Sequence, residues 1–421
     1  MVEDPKQILA EVKSLMEAYQ YKRAQMRLQE VLLYPNLDEK TQLQISLLNA
    51  QIAISQGDPM TPELLIELKD LLESDLNAEA RAEVLHVLGK AEIDIGHYQE
   101  AIRFLQESLS LFRGLSKPIA TVSVLNDQAK VYFYQGHWSD LTVAITEAFK
   151  LARDAGDSQG YGKTLISYAA FERSRGFYDL AISHYELATQ LMEEAGDQLG
   201  LAVALNNLAD LEITRGELSK GLQMLQRALY HEAIVGIPKK LALALTQIGR
   251  VHLLKGNLQD AEGFLQAAVD LASSDQTRNP IILYFTMCNM ADFERKRGDL
   301  KLALQLAKDA LALLEQSEIS GPDLAFAWGL VTSILLEMGK KTQAEEALAT
   351  SEIISSSLEF AEGIVYNVLL RGILELQKGS FGLAQEFLQK ARERAEGQML
   401  FEVLIQTDLS LANLYFKKFL S

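Results

Sequence analysis

Apolar residues recur along this chain at steps of three and four, as in YDLAISHYELATQLM from Tyr178 and LQDAEGFLQAAVDLA from Leu258. That is the period of a helix with one buried face. The helical runs are broken at glycines, Gly96, Gly136, Gly176, Gly216, Gly256, Gly298, Gly339 and Gly379, and all but Gly339 are followed two residues later by a large apolar or aromatic residue. Their spacings are 40, 40, 40, 40, 42, 41 and 40 residues. Gly57 keeps the spacing, and Tyr19 holds the same place in AYQYKRA, so ten turns are countable. A period of this kind predicts an array of helix–turn–helix units rather than a set of globular domains.

Small residues mark where the helices of a unit cross. Five residues after the turn stand Ala24, Ala101, Ala181, Gly221, Ala261, Ala303, Ala344 and Ala384, with Leu141 the departure. Seven before it stand Gly89, Ala129, Ala169, Ala209, Gly249, Ala291, Gly372 and Ala412. Twelve after it Ala148, Ala188, Ala228, Ala268, Ala310 and Ala391 repeat the device. Asp4-Pro5 with Gln7 starts the first helix. Thr61 followed by Pro62 starts the second helix of the second unit after a lengthened turn. The last segment, LSLANLYFKKFLS, supplies only the first helix of an eleventh unit, over about residues 402–419. Its Phe416, Phe419 and Leu420 either pack back, join another chain, or continue into something longer.

The run from Leu88 to Leu109, L-G…G-x-Y-x-x-A-I-x-F-L-Q-x-S-L, closely resembles the tetratricopeptide repeat, and the resemblance extends over essentially all of residues 1–421. The unit is longer than the usual length of about 34 residues. The aromatic expected four before the turn is present at Tyr132 and Tyr415 but replaced by Glu92, Glu172, Glu212, Glu294 and Glu375. Longer units of this kind are similar to those of scaffold adaptors that orient the division machinery, kinesin light chains and bacterial regulators of the maltose-activator type. The resemblance implies an all-α, right-handed superhelical solenoid of about ten antiparallel helix pairs plus a final capping helix.

One stretch invites a different reading. GDSQGYGKT, Gly156 to Thr164, looks like half of a phosphate-binding loop, which needs G-x-x-x-x-G-K-[ST] after a strand. The residue that would have to be the first glycine is Asp157, the preceding segment is helical, and forty residues on AGDQLGLAVAL repeats the frame without the lysine. The stretch therefore reads as one connection in the series. The six histidines, at differing places in their units, show no metal-ligand spacing, and Cys288 reads as a small packing residue. No nucleophile motif is present. The expectation is a protein without catalytic activity, cofactor or metal.

The formal net charge of −17 gives no attraction to nucleic acid or an anionic membrane. The start MVEDPKQILAEV is no secretion signal, no apolar run is long enough to span a bilayer, and a lone cysteine agrees with a cytoplasmic home. What remains is surface. By resemblance, the first helix of each pair lines the concave groove through residues ten and six before the turn. Asn126 and Asn206, which suit the backbone of an extended peptide, hold the first kind of place. Lys90, Lys130, Asp210, Arg250 and Asp292 hold the second, and Lys163 lies at the groove edge. Farther along the same places hold Gly329, Ser333, Leu369 and Ile373, so the groove is expected to turn apolar. In VYFYQGHW, Tyr134 is expected to be surplus to the core and free to anchor a partner. The predicted function is a protein-interaction scaffold or adaptor taking a basic, extended or helical segment of a partner protein. The alternative is a peptide- or ligand-sensing regulatory domain, and a homo-oligomer joined through the terminal helices is a third reading.

Overall fold

Turn glycines and capping side chains set the boundaries of the helices, and they do so at a nearly constant interval. The computed structural model describes residues 4–56, 62–273 and 279–420. Among them lie 21 helices and no strand. In pairs these are α1 (Pro5–Glu17) and α2 (Tyr21–Val31); α3 (Glu39–Gln56) and α4 (Pro62–Leu71); α5 (Ala78–Ile95) and α6 (Tyr98–Gly114); α7 (Pro118–Gln135) and α8 (Trp138–Ala155). Next come α9 (Ser158–Ser174) and α10 (Tyr178–Ala195); α11 (Gln198–Thr214) and α12 (Leu218–Val235); α13 (Pro238–Leu254) and α14 (Leu258–Ser273). The series closes with α15 (Pro280–Arg297) and α16 (Leu300–Gln316); α17 (Pro322–Glu337) and α18 (Lys341–Ser357); α19 (Ala361–Lys378) and α20 (Phe381–Gly397); and a final α21 (Phe401–Leu420). The molecule is an α-solenoid. The turn at Gly57 and the helix start at Thr61 lie outside the described residues.

Asp4 caps α1, accepting from the Lys6 N–H at 3.0 Å with Pro5 in the first turn. Asp157 and Asp197 cap α9 and α11 in the same way, each accepting from the N–H of the glycine three residues on at 2.8 Å. GDSQGYGKT is therefore a helix end at Gly156 followed by a helix start. Within pairs the alanines of the crossing points are fully buried. At Gly89 even one added carbon would lie 2.6 Å from Leu105. A larger side chain there would force the helices apart, at a cost of about 1–3 kcal/mol. The glutamates that replace the aromatic four before the turn are sequestered at the same junction and answered by a neighbour. Glu92 accepts from His97 Nδ1 at 2.9 Å and from Lys69 Nζ at 3.1 Å, and Glu172 meets His184 Nδ1 at 2.7 Å.

Successive turns of the superhelix touch. The turn of one unit meets a connection 184 or 185 residues further on, which at 40 residues a unit is roughly four and a half units. Asn279 Nδ2 donates to the Asp94 carbonyl at 3.2 Å. The Gly321 and Ser320 N–H groups donate to the Tyr134 carbonyl at 2.8 and 3.2 Å. Trp138 Nε1 donates to the Leu358 carbonyl at 2.9 Å. Arg175 pairs with Glu359, and Arg215 Nη2 lies 3.3 Å from Met399 Sδ. The N-terminal pair joins the same seam through Tyr19 Oη, 3.1 Å from Asp197 Oδ1. The segment VYFYQGHW is thus a docking point between turns, and Tyr134 is not surplus: it packs 5.5 Å from the Tyr98 ring and backs the seam with its carbonyl.

On α21 the outer face is uncovered. Phe416, Phe419 and Leu420 are 62%, 87% and 67% exposed, so they do not pack back onto the solenoid. Ala412, equivalent to alanines buried in earlier units, is exposed.

The turn glycines share a left-handed backbone but not a common environment. An added carbon at Gly136 (φ 68°) would lie 2.4 Å from Leu358 across the seam, whereas at Gly339 (φ 71°) it would meet nothing within 4 Å. Gly339→Ala should cost only the backbone term, roughly 1–2 kcal/mol. Gly136→Ala should cost about twice that. Urea midpoints of the two variants test this, and equal midpoints would refute the seam contact.

Candidate functional site

The odd-numbered helices pack on one another along the inside of the coil. Because the seam sets α9 and α11 across from α17, α19 and α21, their inward side chains enclose a channel of three adjoining chambers. The widest, about 460 Å³, is lined by Asn126, Lys130, Lys163, Asn207 and Leu243 among others. The middle one, about 210 Å³, is lined by Arg173, Asp210, Arg250, Asp323, Phe326 and Glu362. The narrowest, about 100 Å³, is lined by Arg250, Asp292, Arg295, Tyr366 and Glu402. Phe133, Ala170 and Asn207 border the first two, and Phe326 and Glu362 the last two, so the three chambers adjoin.

The residues singled out in the sequence fall into three groups. Lys130 and Lys163 reach the wide chamber, Lys130 with its ammonium 5.9 Å from the Tyr134 ring and Lys163 paired with Asp197 at 3.1 Å. Lys90 lines none of the three chambers. The two asparagines expected to hold a peptide backbone are instead bonded along the solenoid. Asn126 donates to the Gly160 carbonyl at 3.3 Å and accepts from Thr164 Oγ1 at 2.9 Å. Asn206 is only 1% exposed and donates to Glu232 Oε1 at 2.7 Å. The residue with a spare amide is the next one, Asn207, which makes no side-chain hydrogen bond among the described residues and lines two chambers. It stands nine residues before its turn, between the places ten and six that the repeat pattern points into the groove.

Asp210, Arg250 and Asp292 belong to one ionic network. Asp210 takes Arg173 Nη1 at 2.6 Å and Arg250 Nη1 at 2.7 Å. Burial works against its charge, but the two guanidiniums hold its carboxyl below the usual range. Across the seam Arg173 lies 3.8 Å from Glu362, Arg250 lies 3.8 Å from Glu402, and Lys296 lies 3.6 Å from Glu402. Asp292 is held by Arg295 Nη2 at 2.5 Å and Lys296 Nζ at 3.2 Å. Glu362 is the less compensated member: burial pushes its carboxyl up, and Arg173 and Arg250 offset this only in part. Toward the apolar end of the groove Leu369 is fully buried, and a carbon added at Gly329 would lie 3.1 Å from the Tyr366 ring. Among the described residues no group of three or more His, Cys, Asp or Glu side chains could hold a metal. Cys288 is buried, which pushes its thiol well above the usual range. No helix among them is long and apolar enough to cross a membrane.

A coiled stack of helix pairs defines a helical-repeat solenoid by its architecture. Models of the tetratricopeptide repeat match residues 82–114 and 161–229. Over these two stretches the chain carries tetratricopeptide repeats. No protein of curated function matches its sequence. Among solved structures it is similar to NprR in complex with its cognate peptide NprX, at 16% identity over 85% of this chain and 100% of that one, with a TM-score of 0.56. It is also similar to a Rap protein complexed with Competence and Sporulation Factor, at 14% identity over 82% and 100% and a TM-score of 0.55. A third likeness is to aspartyl phosphate phosphatase F from Bacillus subtilis, at 15% identity over 84% and 95% and a TM-score of 0.51. At these identities the likeness is one of fold.

The Asn206–Glu232 contact gives a pH signature. Glu232 is fully buried, and burial raises its pKa to about 8 despite the Asn206 hydrogen bond. Asn206 Oδ1 and Glu232 Oε2 both lack partners. The folded carboxyl holds its proton where the unfolded one, near 4.5, has lost it. Stability therefore falls as pH rises from about 4.5 to about 8, then levels, by a few kcal/mol in all. Glu232→Gln should flatten that dependence and raise the melting temperature at pH 9, as followed by circular dichroism.

Proposed function

We propose that this protein is a noncatalytic interaction module of the cytoplasm that holds an extended or helical segment of a partner protein in its axial channel. The observation that carries the reading is the channel of adjoining chambers itself, whose wide chamber offers a spare amide at Asn207 and an ammonium at Lys130 between apolar walls. Such a surface supplies the few placed polar groups and the larger apolar area that peptide grooves use. The solved relatives of the same fold include two whose partner is a named factor or a cognate peptide. The net charge of −17 favours a segment with basic residues, with an affinity that weakens as salt rises.

A second reading, a sensor whose coil changes pitch, is favoured by one feature: residues of the middle and narrow chambers are also the ion pairs that cross the seam. An occupant that competes for Arg173, Arg250 or Glu362 changes how two turns are held together. In that reading the chain is the sensing part of a regulator rather than a passive adaptor.

Peptides selected from a random library on the immobilised full chain test the channel assignment. Lys130→Ala and Asn207→Ala should each weaken the selected peptides about tenfold, near 1.4 kcal/mol, by fluorescence anisotropy. Leu33→Ala, at a residue 82% exposed outside the channel, should leave them unchanged. Full affinity in both channel variants would remove the channel from the reading.

A further inference from the structure

The middle chamber carries more carboxylate than its cations answer. Its lining includes two guanidiniums, Arg173 and Arg250, against three carboxyls, Asp210, Asp323 and Glu362. Asp210 already takes both guanidiniums at 2.6 and 2.7 Å. Glu362 comes no nearer than 3.8 Å to Arg173. The Asp323 carboxyl has no ion pair and no hydrogen bond from another side chain among the described residues, although it stands in the wall of the cavity. Beside Ala170, Ser174, Asn207 and Pro322, the remaining wall is aromatic: Phe133, Tyr185, Tyr284, Phe285, Phe326 and Phe360. Phe326 is 41% exposed, large for a ring in a channel wall.

Rings whose faces carry partial negative charge, set around an unanswered carboxylate, form the surroundings that a guanidinium or ammonium prefers. An anion would find both arginines occupied by Asp210. A neutral apolar group would leave Asp323 buried without a partner, which is costly. The volume of about 210 Å³ suits one long side chain rather than a length of backbone. We propose that the middle chamber is a receptor for a single cationic group, the guanidinium or ammonium of one basic residue in the channel's occupant. That group lies among the aromatic rings and completes an ion pair with Asp323 and Glu362. The assignment rests on the peptide reading above and adds to it which side chain the peptide must bring and where it goes.

Burial raises the Asp323 carboxyl to about 6, with Arg173 only partly opposing. This holds even though its place in the first turn of α17 favours the charged form. The titratable groups around it include Tyr98 from α6, Tyr134 from α7, Arg173 from α9, Tyr185 from α10, Asp210 from α11, Arg250 from α13, Tyr284 and Cys288 from α15 and Glu362 from α19. A cation binds the ionised form, so occupation at or below pH 6 releases a proton, and affinity falls as pH drops below about 6.

Calorimetry on the full chain with N-acetyl-Gly-Arg-Gly-amide and its citrulline counterpart, equal in shape but uncharged, tests this. The arginine peptide should bind at least tenfold more tightly at pH 7, and its affinity should fall by up to tenfold per pH unit below 6. Asp323→Asn should abolish the preference, and Phe326→Leu, which keeps every charge, should reduce it severalfold. Equal affinities for the two peptides, no binding of either at millimolar concentration, or a preference retained in a folded Asp323→Asn protein would overturn the assignment. The library selection separates this failure from that of the peptide reading. Channel-dependent binders without Lys or Arg leave the peptide reading standing and remove the cation receptor; an empty selection removes the peptide reading itself.

Discussion

The structure depends on how the coil closes on itself. Helix pairs of nearly constant length, crossing at buried alanines and glycines, rotate each unit by a nearly constant amount, and after roughly four and a half units the chain meets its own earlier turn. A typical repeat array is bound only to its neighbours and behaves almost as a one-dimensional stack. Here Trp138 reaches Leu358 and Tyr19 reaches Asp197, so units distant in sequence share contacts. What would be an open concave groove becomes a walled channel, and side chains that would face water face one another.

That closure explains which parts were legible in the sequence. The helix pairs, their period and their crossing points were, because each is a local matter of apolar spacing, turn chemistry and small residues. The seam was not. Gly136 and Gly339 look alike in sequence, since both end a helix in a left-handed conformation, yet only the first has a neighbour from another turn against it. Sequence periodicity reports what every unit has in common, while the seam lies in what differs between units.

The site was legible in part for the same reason. Lys130, Asp210, Arg250 and Asp292 line the channel because they sit on the inner stripe of their helices. Asn126 and Asn206 share that stripe, but hydrogen-bonding partners from neighbouring helices take up their amides. Asp323 and Glu362 stand at the starts of α17 and α19, where an acid is an ordinary helix-start residue. They become channel residues only because α9 and α11 lie across from them. The network they join stands where desolvation opposes charge. Removing one member, leaving its partner buried and unanswered, costs far more than the pair contributes to stability.

The seam also decides how anything enters or leaves. A groove open along one side releases its occupant sideways, a little at a time. A channel walled by two consecutive turns of the same coil permits movement along the axis, or else requires the turns to part like the windings of a spring. Each hydrogen bond between Tyr134 and Gly321, or between Trp138 and Leu358, then acts as a catch on that spring. For an occupant of the kind proposed, residence time would be set by these catches as much as by the contacts it makes, and a change far from the chambers would lengthen or shorten it without touching the occupant.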